Sequence, residues 1–232
     1  MRSRSFLLVL LLLSLVGCYG ARRGGSAGDD RSRLVEAVAD RRMLVGRAIG
    51  GFRFGTESGK KRGTTAAETP FGVLLAAADI RKRFDADASP VNTGNLALAY
   101  LLAGDAEKGV KLSEIRALSE ETAESLTDLS AAYLQRATAT GSFDDFARSY
   151  DAALRALHLE PKVSEAIFNQ AVAAGEMGLP WLARAAWDSY LRVESAGAWA
   201  DFARGSLARA MPAESRNDLS ARDRPNILQS SR

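Results

Sequence analysis

From Pro70 onward the apolar positions of the chain recur at helical spacing. PFGVLLAAADIRKRF sets Val73, Leu74, Ala77, Ile80 and Phe84 at that spacing, with Pro70 in the first turn. Ser89-Pro90 opens the next helix and Gly104-Asp105 breaks it. Further helices are predicted over 106–118, 120–139, 143–158, 162–177, 180–194 and 198–211. Their turns carry breakers: Thr140-Gly141-Ser142, Glu160-Pro161 and Gly178-Leu179-Pro180. Upstream, Ser32 is placed to cap a short helix, RLVEAVADRRML, with Leu34, Val35, Val38 and Leu44 near one face. Residues 19–31 are Gly-rich and polar, the composition of a flexible tether. The polar stretch beyond Pro212 is expected to be disordered.

The front of the chain follows a different pattern. Arg2 and Arg4 precede residues 6–16, which are apolar except for Ser14. That length suits the core of a secretory signal and falls short of the roughly 20 residues a spanning helix needs. The run ends in Leu15-Val16-Gly17-Cys18, which resembles the lipobox of bacterial lipoproteins. A thiolate is the side-chain nucleophile suited to taking a lipid near neutral pH. The resemblance implies a thioether at Cys18, cleavage just before it, and acylation of the new amino group. Two or three chains at about 0.8 kcal/mol per buried CH₂ give stable anchoring. Tyr19, rather than Asp, after the Cys resembles lipoproteins sent to the outer membrane. The implied location is the bacterial envelope, on the periplasmic face of that membrane.

Removing residues 1–17 takes away Arg2 and Arg4 and no acid, so the formal charge falls from +3 to +1. The basicity of the whole chain therefore partly belongs to its leader and makes no case for nucleic acid. Cys18 is the sole cysteine, so no disulfide forms within one chain and packing must supply stability. Alanine is abundant, aromatics are few and β-branched runs are missing, which predicts an all-α fold.

The helices repeat. NLALAYLLAGD (95–105), DLSAAYLQRATATG (128–141) and NQAVAAGEMG (169–178) align with one another. Each has a small residue, Ala97, Ser130 or Ala171, one turn before Tyr100, Tyr133 or Ala174, and each ends at a glycine. Second helices follow with Phe146/Tyr150 and Ala183/Trp187 four apart. This resembles the tetratricopeptide repeat. Leu96-Ala97-x₂-Tyr100, Leu129-Ser130-x₂-Tyr133, Ala183-x₃-Trp187 and Pro161 fill the family's slots. A small residue there lets two antiparallel helices approach, aromatics fill the space between hairpins, and the proline ends a second helix. The spacing from Ala97 to Ser130 is 33, near the family's roughly 34, but Ser130 to Ala171 is 41. The excess lies in a longer turn around 137–141 and in ALRALHLEP. The large Trp of the first helix is absent, with Ile167 its nearest substitute, and Gly109, Phe146 and Tyr190 occupy second-helix slots. In the final helix, AWADFARGSLARAM, Trp199, Phe202 and Leu207 are expected to cover the last hairpin.

The order of RLVEAVADRR…GGF, DLSAAYLQRA and EAIFNQAVAAGEMGLPWLARAAWDSYL also resembles the N-terminal region of bacterial proteins that continue into a caspase-like CHAT peptidase domain. That resemblance implies a regulatory or targeting role beside a protease, with no peptidase domain within these residues. A component of an envelope assembly complex is a further alternative.

Catalytic chemistry has little support. His158, the single histidine, sits at a helix C-terminus, where the dipole favours an imidazole. No Gly-x-Ser-x-Gly turn presents a serine, and no cluster pairs His or Cys with carboxylates for a metal. GTESGKK within the 50–69 loop departs from a phosphate-binding loop. Phe54 stands where the first Gly belongs, Lys61 replaces the hydroxyl residue, and no strand precedes. Lys60, Lys61 and Arg62 make it a basic loop able to touch anionic head groups. Asp144-Asp145 and Glu120-Glu121 fit as helix-start carboxylates. No enzyme, cofactor or metal is expected.

The expected organisation is a signal peptide over 1–17, a tether over 18–31 and N-terminal helices with the basic loop over 32–88. A tetratricopeptide-like solenoid over 89–211 and a tail over 212–232 complete it. In peptide-binding members of the family, an Asn one position before the Leu slot often reaches the ligand backbone. The resemblance therefore nominates Asn95 and Asn169, with Asp128 in the second unit and Phe168 and Val172 nearby. The implied function is a membrane-anchored scaffold that holds a protein partner in a concave groove.

Overall fold

A computed structural model describes residues 27–38, 41–42, 44–52, 56–57 and 69–210. Cys18, the signal peptide, most of GTESGKK and the tail lie outside the described residues. Nine helices are described: α1 Ala27–Val38, α2 Phe71–Ala86, α3 Pro90–Leu102, α4 Ala106–Ser119, α5 Ala123–Thr140, α6 Phe143–Leu159, α7 Ser164–Glu176, α8 Pro180–Val193 and α9 Ala198–Ala210. A parallel bridge of two residues per strand, β1 Arg41–Arg42 with β2 Thr56–Glu57, is the β structure described.

Local chemistry sets the helix ends. Pro90 and Pro180 stand in first turns, where a missing N–H costs nothing. Thr122 and Ser125 form a reciprocal capping box for α5. Gly141 closes the same helix in the left-handed region at φ 75°. Because α5 starts at Ala123, Glu120 and Glu121 are not in its first turn. Glu120 caps the C-terminus of α4, and Glu121 pairs with Arg155 at 2.6 Å. The N-terminal helix also shifts from its expected position. It begins at Ala27, leaves Ser32 mid-helix and ends at Val38, so Leu44 belongs to the segment that follows.

Each helix packs on the next in sequence, and α3, α5 and α7 also pack side by side. These three are the inner helices of hairpins α3–α4, α5–α6 and α7–α8. The same pattern extends one step further back. Helix α1 packs on α2 and on α3, and α2 on α3, so α1 and α2 form a fourth hairpin at the front of the array. The fold is an all-α, tetratricopeptide-like solenoid with α9 as its cap.

Burial follows the repeat. Leu34, Val38, Val73, Ile80, Leu98 and Leu101 share the first core with Leu126 and Leu129. In α2 the inward face carries Val73, Ala76 and Ile80, while Leu74 is half-exposed. The last hairpin and α9 enclose an aromatic cluster in which Phe168 packs edge-on against Trp187 and Trp199, with centroids 5.1 and 5.0 Å away. Phe202 and Leu207 of α9 pack on the same cluster. At the small-residue slot of the α5–α6 hairpin, Ser130 and Ser149 exchange hydroxyl-to-carbonyl hydrogen bonds of 2.9 Å. Both are fully buried, so the close approach also satisfies their hydroxyls.

Gly109 makes the close approach within the α3–α4 hairpin. A Cβ there would stand 2.4 Å from Leu101 Cδ2 and 2.5 Å from its Cγ. Helix propensity alone favours replacing this glycine by about 1 kcal/mol, but overpacking costs about 1–3 kcal/mol. Gly109→Val, with its branched side chain, is expected to lower the unfolding free energy by about 2 kcal/mol. The urea midpoint should fall with an unchanged slope; an unmoved midpoint would contradict this packing.

Candidate functional site

Residues 44–52, LVGRAIGGF, leave α1 and lie along the inner helices of the solenoid. The segment runs antiparallel to α5. Val45 N–H donates to Gln135 Oε1 at 3.1 Å, Gly46 lies over Ala131, and Ile49 N–H donates to Asp128 Oδ1 at 3.0 Å. Gly50 and Gly51, at φ 130° and 74°, then turn the chain toward the cap. There Trp199 Nε1–H donates to the Phe52 carbonyl at 3.1 Å.

Asn169 of α7 grips the middle of this segment. Its side-chain oxygen accepts from Arg47 N–H at 2.6 Å, and its amide NH₂ donates to the Arg47 carbonyl at 2.9 Å. Arg47 requires one acceptor and one donor, so this pairing also fixes which way the amide faces. Gly46 permits the approach. A Cβ there would sit 2.9 Å from both Asn169 Oδ1 and Leu134 Cδ1, and 3.1 Å from the Ala131 backbone. Any larger residue pushes the main chain off Asn169.

The Arg47 side chain enters a pocket between α7, α8 and α9. Nη1 donates to Tyr190 Oη at 2.5 Å and Glu194 Oε2 at 2.8 Å, and Nη2 to Glu165 Oε1 at 3.4 Å. Its guanidinium lies 4.8 Å from the Trp199 ring centroid and 5.7 Å from that of Tyr190. Burial pushes the Tyr190 phenol up, against the opposing pull of the Arg47 charge. At Glu194 burial also acts upward, but the hydrogen bond and charge of Arg47 outweigh it, and the net direction is down.

Asp128 anchors the other end. Its carboxylate accepts from Ile49 N–H, from Arg31 at 2.5 Å and from Arg116 at 2.8 Å. Arg31, on α1, also donates to the Ile49 carbonyl at 2.5 Å. Burial alone would lower the Arg31 pKa, yet the Asp128 charge and hydrogen bond raise it overall. Arg116 reaches the groove from outer helix α4 by passing over Gly94, where a Cβ would stand 2.7 Å from Arg116 Cδ. It also meets Glu124 at 2.7 Å, while its Nε is buried with no hydrogen-bond partner among the described residues.

The structure therefore brings together Asp128 and Asn169 of the nominated residues, each against the main chain of residues 44–52. Phe168 lies beneath them, fully buried in the aromatic cluster, with the Arg47 guanidinium 6.0 Å from its ring. Val172 is half-buried at the seam between the α5–α6 and α7–α8 hairpins, and Asn95 is buried in α3. Sequence reasoning passed over Gly46, Arg47, Gln135, Glu165, Tyr190, Glu194 and Trp199 as a set. The one visible signal was Tyr190 standing in a slot that suits a small residue. His158 is exposed in the last turn of α6. Among the described residues no group of His, Cys, Asp and Glu is placed to hold a metal, and no helix is long and apolar enough to cross a membrane.

No family model matches this sequence, and no curated protein does so significantly. The crystal structure of MamA, a tetratricopeptide-type helical protein, is similar to this chain with a TM-score of 0.55. The two are 17% identical, over 65% of this chain and 84% of MamA. The chain has a tetratricopeptide-like fold. At that identity the likeness speaks for the fold alone.

The Glu194 shift carries a pH dependence. Its folded value lies below the ordinary 4.5, so its pairing with Arg47 stabilises fully above about pH 4.5. That contribution is lost as pH falls through the lower folded value. The Glu194 side chain is 28% exposed, so the pair is worth only about 0.5–1.5 kcal/mol. Glu194→Gln is expected to lower the unfolding free energy by that amount at pH 7, measured in urea. The gap to the wild-type chain should narrow as the pH falls below about 4.5, and a gap independent of pH would contradict the pairing.

Proposed function

We propose that this chain is a protein-interaction scaffold of the bacterial envelope, anchored through lipidated Cys18, that holds an extended partner segment in the groove of its inner helices. One observation carries the reading. Asn169 and Asp128 project from groove-lining helices and bind main-chain groups of an irregular segment, Asn169 with a donor and an acceptor together. Side chains that recognise main chain are the means by which a helical surface accepts extended peptide of varied sequence. The leader ending in Leu15-Val16-Gly17-Cys18 supports the anchor, and Tyr19 supports outer-membrane delivery.

Two experiments test this reading. The mass of the N-terminal peptide of the protein extracted from its host's membranes is expected to match one that begins at Cys18 and carries acyl chains; an unmodified N-terminus would remove the anchor. A photo-crosslinking amino acid at Gln135, in the groove, combined with Arg47→Ala to loosen residues 44–52, is expected to give a discrete protein adduct in the host. The same group at Lys111, exposed on α4, is expected to give none. Equal labelling from both positions, or none from Gln135, would contradict the scaffold.

A further inference from the structure

The groove of this chain is already full, and what fills it describes what fits it. The central grip on residues 44–52 is polar: Asn169 on the Arg47 main chain, Asp128 on Ile49, and Glu165, Tyr190 and Glu194 on the Arg47 side chain. The helices beneath pack on one another directly, α5 against α7 and α3 against α5, and α9 covers α8. The segment also buries Leu44 and Ala48 in the first core, with Phe52 packed against it, so whatever replaces it must supply apolar contacts as well as polar ones. Its flanks are drawn together by the pairing of Arg41 with Thr56 and Arg42 with Glu57.

The arginine pocket is specific in its chemistry. Two carboxylates, a buried phenol and an indole face converge on one cation. A guanidinium is planar and forked, so it bonds Tyr190 and Glu194 through one nitrogen and Glu165 through the other while lying over Trp199. A lysine ammonium cannot do both. Emptied, the pocket leaves Glu165 and Glu194 facing each other without a counter-charge, a site that calls for a cation to replace Arg47. Beside it, the main-chain approach at Gly46 excludes any side chain. The groove therefore selects a residue pair, glycine followed by arginine, and selects it in extended main chain through Asn169.

We propose that residues 44–52 are a built-in competitor, and that the partner segment is an extended peptide carrying a Gly-Arg pair that displaces them. This rests on the scaffold reading above and names the partner's chemistry. The competitor shares a chain with its groove, so its effective concentration is high. A partner with one such pair binds weakly until Arg47 leaves its pocket.

The probe is a capped, fluorescent peptide, LVGRAIGGF, added to the full chain in detergent. Arg47→Ala is expected to bind it at least ten-fold more tightly than the wild-type chain does. Versions of the peptide with alanine or lysine in place of its arginine are expected to bind at least ten-fold more weakly. Equal binding of the arginine and alanine peptides by folded Arg47→Ala, lost on adding Asn169→Ala, would overturn the arginine assignment and leave the scaffold standing. A folded Arg47→Ala chain that binds neither this peptide nor any of a random nonapeptide panel would overturn both. Wild-type dimers that grow with concentration and dissolve on adding the peptide would make the occupant a second copy, overturning a separate partner. Should Arg47→Ala not fold, the wild-type chain takes millimolar peptide with a photo-crosslinker at its last residue. Labelling of α9 near Trp199, blocked by the unlabelled arginine peptide and not by the alanine one, is expected; no labelling would overturn the proposal.

Discussion

A helix has already used its own backbone donors and acceptors, so a chain segment laid on helices finds none to pair with. Its N–H and C=O groups lose water and must be met by side chains. This constraint shapes the centre of the molecule. Asn169 meets it with one amide that supplies both partners to Arg47. Asp128, Gln135 and Trp199 meet it at Ile49, Val45 and Phe52. The rest of the site is arranged to let these contacts form. Gly46 gives the distance, the Gly50–Gly51 turn gives the direction, and the Arg47 side chain pins the register.

The same segment ties the array together along its length. Through Asp128 it joins Arg31 on the first hairpin and Arg116 on the second, and through Arg47 it joins α7, α8 and the cap region. Solenoid repeats touch mainly their neighbours, so contacts between residues 90 to 147 apart in sequence are a departure from that habit. They link the front hairpin and the last hairpin through residues 44–52 in addition to the contacts between neighbouring helices. Charge is balanced locally, with Arg31 and Arg116 set against Asp128 and Glu124. That balance is what allows so many ionised groups to be buried without a large net cost.

The solenoid was legible because its physics is periodic. Small residues at Ala97, Ser130 and Ala171, glycines at the hairpin turns and prolines at first turns mark helices that must pack closely, and the three later hairpins follow them. The first hairpin was not legible, since its two helices are separated by residues 39–70 and no repeat of about 34 spans them. The groove was legible in part. Asn169 and Asp128 stood out by slot, but the main chain against them is the protein's own, supplied from a stretch whose contacts are irregular and distant. Such contacts leave no period in a sequence. Arg47 looks like one of many surface arginines until Tyr190, Glu194 and Trp199 are seen around it.

Hydrogen exchange at the Arg47 and Ile49 amides tests the central claim most directly. Both donate to side chains of the groove, so both are expected to be protected, and to lose protection together when Asn169 is replaced by alanine. Held by side chains rather than within a helix, they are also expected to exchange faster than the amides in the middle of α5. Exchange at the rate of a free peptide would mean that residues 44–52 do not occupy the groove. Exchange as slow as that of α5 would mean that the segment opens only when the whole solenoid unfolds.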